Sequence, residues 1–358
     1  MNGVTRAVII PDNGSIPSKS YSALLFFVPN LITAKRRFFC DNIMNPDVVS
    51  LGEPMVEFCA TDVGRLSVVP LFKRGWGGDT SNFAVAAARQ NLKVAHICRL
   101  GSDEFGKSFL DLWEKEGMDN SRVIVEDGTF TAIYIISLME GGGHDFTYYR
   151  ANSAASRYSV EDIDWDYLDQ AKYFHSSGIS LAISKTVREA AIKAMHHVKE
   201  NGGFNSFDIN MRAKLWTTET ARKSLAEAFE VCDVVFASME DMNTLYSITE
   251  PKKAAEHLRG MGVETVVVKH GGKGCFVSTD EKSFTMPGYK ITPVDTTGSG
   301  DAFDGAWIKG VDMGWELEKI ASYSNAVGAI TATGLGAVAP IPRYKEAVKL
   351  IKEQGGVW

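Results

Sequence analysis

Asp295-Thr296-Thr297-Gly298-Ser299-Gly300-Asp301 runs directly into Ala302-Phe303-Asp304-Gly305-Ala306-Trp307-Ile308. Small residues ahead of an acid, with an apolar helical run behind, form a turn that points backbone N–H groups into one concavity at a helix N-terminus. The helix dipole favours negative charge there, so the turn is a candidate anion site. Asp301 falls in the first helical turn, beside whatever anion binds. A carboxylate holds phosphate poorly, but it can take the proton of a hydroxyl that attacks one. Read alone, the stretch is equally satisfied by a Gly-rich turn with an ordinary first-turn acid.

The surrounding pattern supplies a fold for that helix. Helical runs are expected over 79–91, 104–116, 184–199, 218–229, about 300–312, 316–332 and 343–353. Between them lie short apolar strands at 48–52, 94–98, 173–175, 204–207, 234–236 and 265–269. Strands alternating with longer helices imply an α/β fold with a mostly parallel sheet covered on both faces. Two stretches, 55–72 and 131–150, alternate apolar and polar residues instead, the second with Gly141-Gly142-Gly143 as a turn. They read as β-ribbons outside the main sheet, either a lid over a pocket (about 54–74 and 130–151) or plain hairpins.

Composition narrows the function. The chain has 358 residues, is 45% hydrophobic and carries a net charge of −6. That length can bury one large core plus a small appendage. No sustained basic stripe is present, which argues against nucleic acid as a partner. The five cysteines (Cys40, Cys59, Cys98, Cys232, Cys275) are scattered and lack CxxC spacing; structural thiols in a reduced, cytoplasmic setting are expected. Residues 1–43 read as an upstream extension outside the core. Their apolar run, 24–32, is broken by Pro29-Asn30 and too short to span a bilayer. Full activity of a chain begun at Met44 would support that reading; loss of soluble protein would refute it.

Several stretches in fixed order resemble the ribokinase-like (PfkB) carbohydrate kinases over roughly 47–353. Gly77-Gly78-Asp79-Thr80-Ser81-Asn82 is similar to the family's GGxxxN signature, and 295–301 to its DTxGxGD signature. Ser238-Met239-Glu240-Asp241 falls where the family has NxxE, with Ser in place of Asn and Asp in place of Glu. The resemblance implies a three-layer α/β/α kinase domain with a small β-sheet lid. It implies phosphoryl transfer from ATP, with Mg²⁺, to an alcohol. Asp301 would be the base, and the N–H groups of Gly298, Ser299 and Gly300 the anion hole. Gly77, Gly78, Asp79 and Asn82 would border the sugar. Gly272 and Gly274, after the strand ending at Lys269, would border the adenosine, and Asn325 would lie against the adenine. Asn210, Ser238 and Lys269 fall on the nucleotide side. Asp241 would take part in the magnesium network and Asp295 would stand near a monovalent cation such as K⁺. The 295–301 stretch itself carries no GK[ST], so the hole lacks a Walker lysine.

The sugar is read from two further stretches. Phe207-Asp208-Ile209-Asn210-Met211-Arg212-Ala213-Lys214-Leu215-Trp216 resembles a segment shared by 2-keto-3-deoxygluconate kinases and fructokinases. Phe146-Thr147-Tyr148-Tyr149-Arg150-Ala151-Asn152-Ser153-Ala154 resembles the former, as does Tyr134, fourteen residues before Tyr148. A sugar acid brings a carboxylate, which guanidinium groups grip with paired charge-assisted bonds. Arg150 and Arg212 are the candidates, with Tyr134 and Tyr148 as hydroxyl donors; alternatively the arginines pair with Asp145 and Asp208. Fructokinase and a non-catalytic nucleotide- or sugar-binding relative are the competing functions. A dinucleotide dehydrogenase is disfavoured, because no GxGxxG follows the first strand. An exposed ribbon lid also invites pairing with a second copy.

Overall fold

The computed structural model describes residues 45–140 and 143–358. The extension read at 1–43, Cys40 and Gly141-Gly142 lie outside them. In chain order the strands are β1 (Val48–Leu51), β2 (Met55–Val63), β3 (Phe72–Gly77), β4 (Val94–Ile97), β5 (Arg99–Gly101), β6 (Ile124–Glu126), β7 (Ile133–Leu138), β8 (His144–Tyr149), β9 (Tyr173–Ser177), β10 (Phe204–Asp208), β11 (Val234–Ser238), β12 (Thr265–Lys269), β13 (Cys275–Ser278) and β14 (Ser283–Met286).

The large sheet has the order β14-β13-β12-β11-β10-β9-β1-β4. From β12 to β4 every neighbouring pair is parallel, and β13 and β14 add an antiparallel edge. Side chains alternate across a strand, so a sheet covered on both faces needs apolar residues at every position. In β11, Val234 and Phe236 enter one core while Val235 and Ala237 enter the other. Helices Asp79–Arg89, Ser299–Asp312 and Leu317–Thr331 cover the first face, and Lys185–Glu200, Thr218–Phe229 and Pro251–Gly260 the second.

Local chemistry sets the helix ends. The hydroxyl of Ser184 accepts from Val187 N–H, and that of Thr217 from Thr220 N–H, each capping the helix that follows. The expected bounds 218–229 and 265–269 are met residue for residue. The expected strand at 94–98 is β4, one residue shorter, and β5 just beyond it leaves the large sheet to pair with β6. Two short helices, Met239–Tyr246 and Pro251–Gly260, and the β13–β14 hairpin went unread in the sequence. Glycine at 305 brings two helices together: a Cβ there would lie 2.8 Å from the Phe83 carbonyl oxygen. That close approach seats Asp79–Arg89 against Ser299–Asp312.

The two ribbons form one small sheet, ordered β3-β2-β7-β8. Each ribbon is an antiparallel pair, and they join through a parallel β2–β7 ladder. The join buries Met55, Cys59, Ala132, Tyr134 and Ile136 in a core of their own. Strand β3 runs on to Gly77, past the expected edge of the lid, and so connects the ribbon to the 77–82 stretch. Among the described residues no helix is long and apolar enough to cross a membrane. Cys59, Cys98, Cys232 and Cys275 are buried, and none forms a disulfide among the described residues.

Candidate active site

A cleft of about 1080 Å³ lies between the small sheet and the carboxyl ends of the parallel strands. Apart from Gly77 and Asp295, every residue singled out in the sequence lines it.

Its floor is the turn ahead of helix Ser299–Asp312. Gly298 has a φ of 76°, and a Cβ there would lie 2.6 Å from the Ala337 carbonyl oxygen, so glycine is required twice over. Asp295 orders the turn from beneath. Its Oδ1 accepts from Thr297 N–H (2.9 Å) and Oγ1 (2.7 Å), and its Oδ2 from Gly336 N–H (2.8 Å). One expectation needs correction: Ser299 N–H donates back to the Thr296 carbonyl at 3.1 Å. Gly298 and Gly300 are therefore the better-placed donors of the hole. The buried Ser299 hydroxyl has no partner among the described residues.

Asp301 stands in the first turn, half-buried and facing the cleft. Asn82 Nδ2 donates to its Oδ2 at 2.8 Å. Burial and the neighbouring Asp79 and Asp208 raise the Asp301 carboxyl to about 7, against the Asn82 bond and the Lys269 charge. An acid poised near neutrality suits proton abstraction.

On the lid side the two arginines differ. Arg150 is buried and forms an ion pair with Glu53, whose Oε1 accepts from Ser153 Oγ at 2.9 Å. The expected pairing of Arg150 with Asp145 is absent, since Asp145 is held by Lys214 at 2.8 Å. Arg212 instead opens on the cleft and donates to the Met211 carbonyl at 3.0 Å; Asp208 turns to Lys269. Burial opposes the Arg212 charge, and Asp241, Tyr148, Asp79 and Asp301 more than offset it. The two-arginine grip thus reduces to one guanidinium without a carboxylate partner among the described residues. Lys214, in the same loop, also donates to the Phe146 carbonyl and so reaches the small sheet.

Tyr134 donates to Glu57 Oε2 at 2.6 Å, which engages the hydroxyl expected to serve a ligand. Burial raises Glu57 to about 7. Asn210 was expected on the nucleotide side, yet its amide donates to Asp79 Oδ2 at 3.1 Å. Its φ of 36° is left-handed, which Asn tolerates better than most residues. Tyr148 lines the same side, in the small sheet. Glu53 and Glu57 were missed in the sequence, although an acid at a position the pattern reserves for apolar residues is itself a signal.

At the opposite end, Gly272 and Gly274 border the cleft after β12. Asn325 Nδ2 donates to the Met286 and Pro287 carbonyls, both at 3.2 Å, and pins the strand end beside that wall. Ser238 and Asp241 form a reciprocal cap: Asp241 Oδ2 accepts from Ser238 N–H (2.8 Å) and Oγ (2.7 Å), and its Oδ1 from Met211 N–H (2.8 Å). Among the described residues no three acids, histidines or cysteines converge on a metal-sized point.

A family model described as pfkB family carbohydrate kinase matches residues 45–343. The chain belongs to the PfkB family of carbohydrate kinases. Fructokinase-1 of Oryza sativa subsp. japonica is 32% identical over 315 residues, 85% of this chain and 97% of its own. The 2-dehydro-3-deoxygluconokinase of Thermoproteus tenax is 30% identical over 309 residues, 85% of this chain and 94% of its own. Among solved structures, 2-dehydro-3-deoxygluconokinase from Thermotoga maritima matches with a TM-score of 0.79 at 28% identity, covering 85% of this chain and 99% of that one. A putative ribokinase II from E. coli in complex with ATP and Mg²⁺ matches with a TM-score of 0.80 at 28% identity, covering 86% and 99%. The fold of this PfkB kinase is accordingly the ribokinase-like α/β fold anticipated from its motifs, and the matches span both acid-sugar and neutral-sugar kinases.

Proposed function

We propose that this PfkB kinase transfers the γ-phosphoryl group of ATP to the terminal hydroxyl of a sugar acid, 2-keto-3-deoxygluconate, to give the 6-phosphate. The observation that carries the reading is Arg212, a guanidinium open to the cleft and without an ion pair to any carboxylate among the described residues. A sugar carboxylate supplies the missing partner, and a neutral hexose leaves the charge unanswered.

In this reading Asp301 accepts the hydroxyl proton as the oxygen attacks. Such assistance is worth about 10²–10⁴-fold. The transition state is loose, so the proton leaves late and a weak base suffices. Gly298 and Gly300 N–H groups meet the charge that spreads over the transferring group, each worth about 3–4 kcal/mol. Gly78, Asp79, Asn82, Tyr134 and Tyr148 surround the sugar; Gly272, Gly274 and Asn325 border the nucleotide. Magnesium, when bound, neutralises phosphate charge. The ion would be carried on the phosphates, with Asp241 near them through water. Asp295, its oxygens engaged, orders the turn beside any monovalent cation. The solvent-facing Val63 and Phe72 of β2 and β3, with Val68 and Leu71 in the loop that joins them, suit pairing with a second copy, which sedimentation would detect.

A neutral sugar is the second reading, favoured by the fructokinase relative and by Glu53's hold on Arg150. The test is ADP release with ATP and Mg²⁺, offering 2-keto-3-deoxygluconate, fructose and ribose at equal concentration. Preference for the keto-deoxy acid supports the reading; preference for fructose overturns the substrate while leaving the transfer centre intact.

A further inference from the structure

Lys269 ends β12, with Nζ 2.9 Å from Asp208 Oδ2 and 3.1 and 3.0 Å from the two oxygens of Asp304. All three side chains are shut from bulk solvent. A buried cluster of this kind is weak as a source of stability, because desolvation offsets its attraction. Its position is more telling. A Cβ on Gly300 would lie 3.2 Å from Lys269 Nζ, so the ammonium sits directly against the backbone of the anion turn. Asp304 follows Asp301 by three residues, on the same side of the helix. Asp208 Oδ1 is buried without a partner among the described residues, and both Asp208 and Lys269 line the cleft.

We propose that Lys269 is a positioning residue of the transfer centre rather than of the nucleotide's adenosine end. Fastened by Asp208 and Asp304, it fixes the first turn of helix Ser299–Asp312 and holds positive charge behind Gly300, where the turn has no Walker lysine. This rests on the kinase reading above. Among the described residues the groups that face Asp301 are Asp79 and Asp208 as acids, Arg212 and Lys269 as cations, and Asn82 and Tyr134 as neutral partners. The Lys269 charge favours the ionised form of Asp301, against burial and the two acids.

The test compares binding of MgADP with binding of MgADP plus fluoroaluminate, a planar stand-in for the transferring group. The proteins are wild type, Lys269→Met and Lys269→Met/Asp208→Asn/Asp304→Asn; the triple variant replaces the whole ionic cluster by neutral groups in case the single one fails to fold. The expected result is MgADP affinity retained and fluoroaluminate affinity lost by about 100-fold, with the acid limb of kcat/KM moved to higher pH. Equal weakening of both complexes, weakening of neither, or collapse of both variants would overturn the proposal. Wild-type protein that fails to bind MgADP would overturn the kinase reading itself.

Discussion

Asn82 Nδ2 donates to Asp301 Oδ2 over 2.8 Å, a bond between residues 219 positions apart. It joins the first signature stretch to the last and fixes how the carboxylate faces the cleft. The bond favours the ionised form, whereas burial and Asp79 favour the neutral one, and the balance stands near 7. The outcome is a carboxyl that neither stays protonated nor loses its proton affinity at neutral pH, as the proposed base requires.

Asp301→Asn keeps the shape and removes the base. Turnover is expected to fall by about 10²–10⁴-fold while MgADP binding persists. Steady-state ADP release and nucleotide titration measure the two. Activity within tenfold of wild type would take Asp301 out of the base role.

The pH dependence follows from which form reacts. Only ionised Asp301 can accept a proton, and that form is lost as pH falls through about 7. The kcat/KM profile is expected to show an acid limb near pH 7. Asn82→Leu deletes the bond that favours ionisation, so its limb belongs at higher pH. A limb that stays in place in Asn82→Leu would disconnect that bond from the titration.

The same base costs stability. An unfolded Asp titrates near about 3.9, and Asp301 near 7 when folded, so the native state binds the proton more tightly. Ionisation therefore penalises the fold progressively from about pH 4 to pH 7 and fully above. Asp301→Asn is expected to raise Tm at pH 8, by about 1–2 °C per kcal/mol relieved, with the gain fading toward pH 4. Melting curves at both pH values would expose an opposite trend.

Much of this was legible in the chain because it is local. The 295–301 stretch announced a helix start with Asp301 in its first turn, and the runs at 184–199 and 218–229 marked two more helices. What stayed hidden depends on partners far along the sequence. Arg150 could be read as a ligand group or as half of an ion pair, and only the fold supplies Glu53 as its partner. Tyr134 was visible, but Glu57, which accepts from it, sits on a strand that joins Tyr134's own in parallel. Lys269 appeared as the end of a strand, with nothing nearby to disclose Asp208 and Asp304.

Arg150→Ala is expected to act on stability. It leaves Glu53 buried without its counter-charge, a loss of about 3–5 kcal/mol. Thermal melting should report it, together with reduced soluble yield. A wild-type Tm with a raised KM for acid sugars alone would return Arg150 to the ligand.

The most direct measurement is the ratio of kcat/KM for 2-keto-3-deoxygluconate over fructose, taken in wild type and in Arg212→Ala side by side. A ratio above about tenfold in wild type, falling toward one in the variant, is expected when a single guanidinium reads the carboxylate. Fructose used as well as the acid by wild type, or a ratio that Arg212→Ala leaves unchanged, would contradict it.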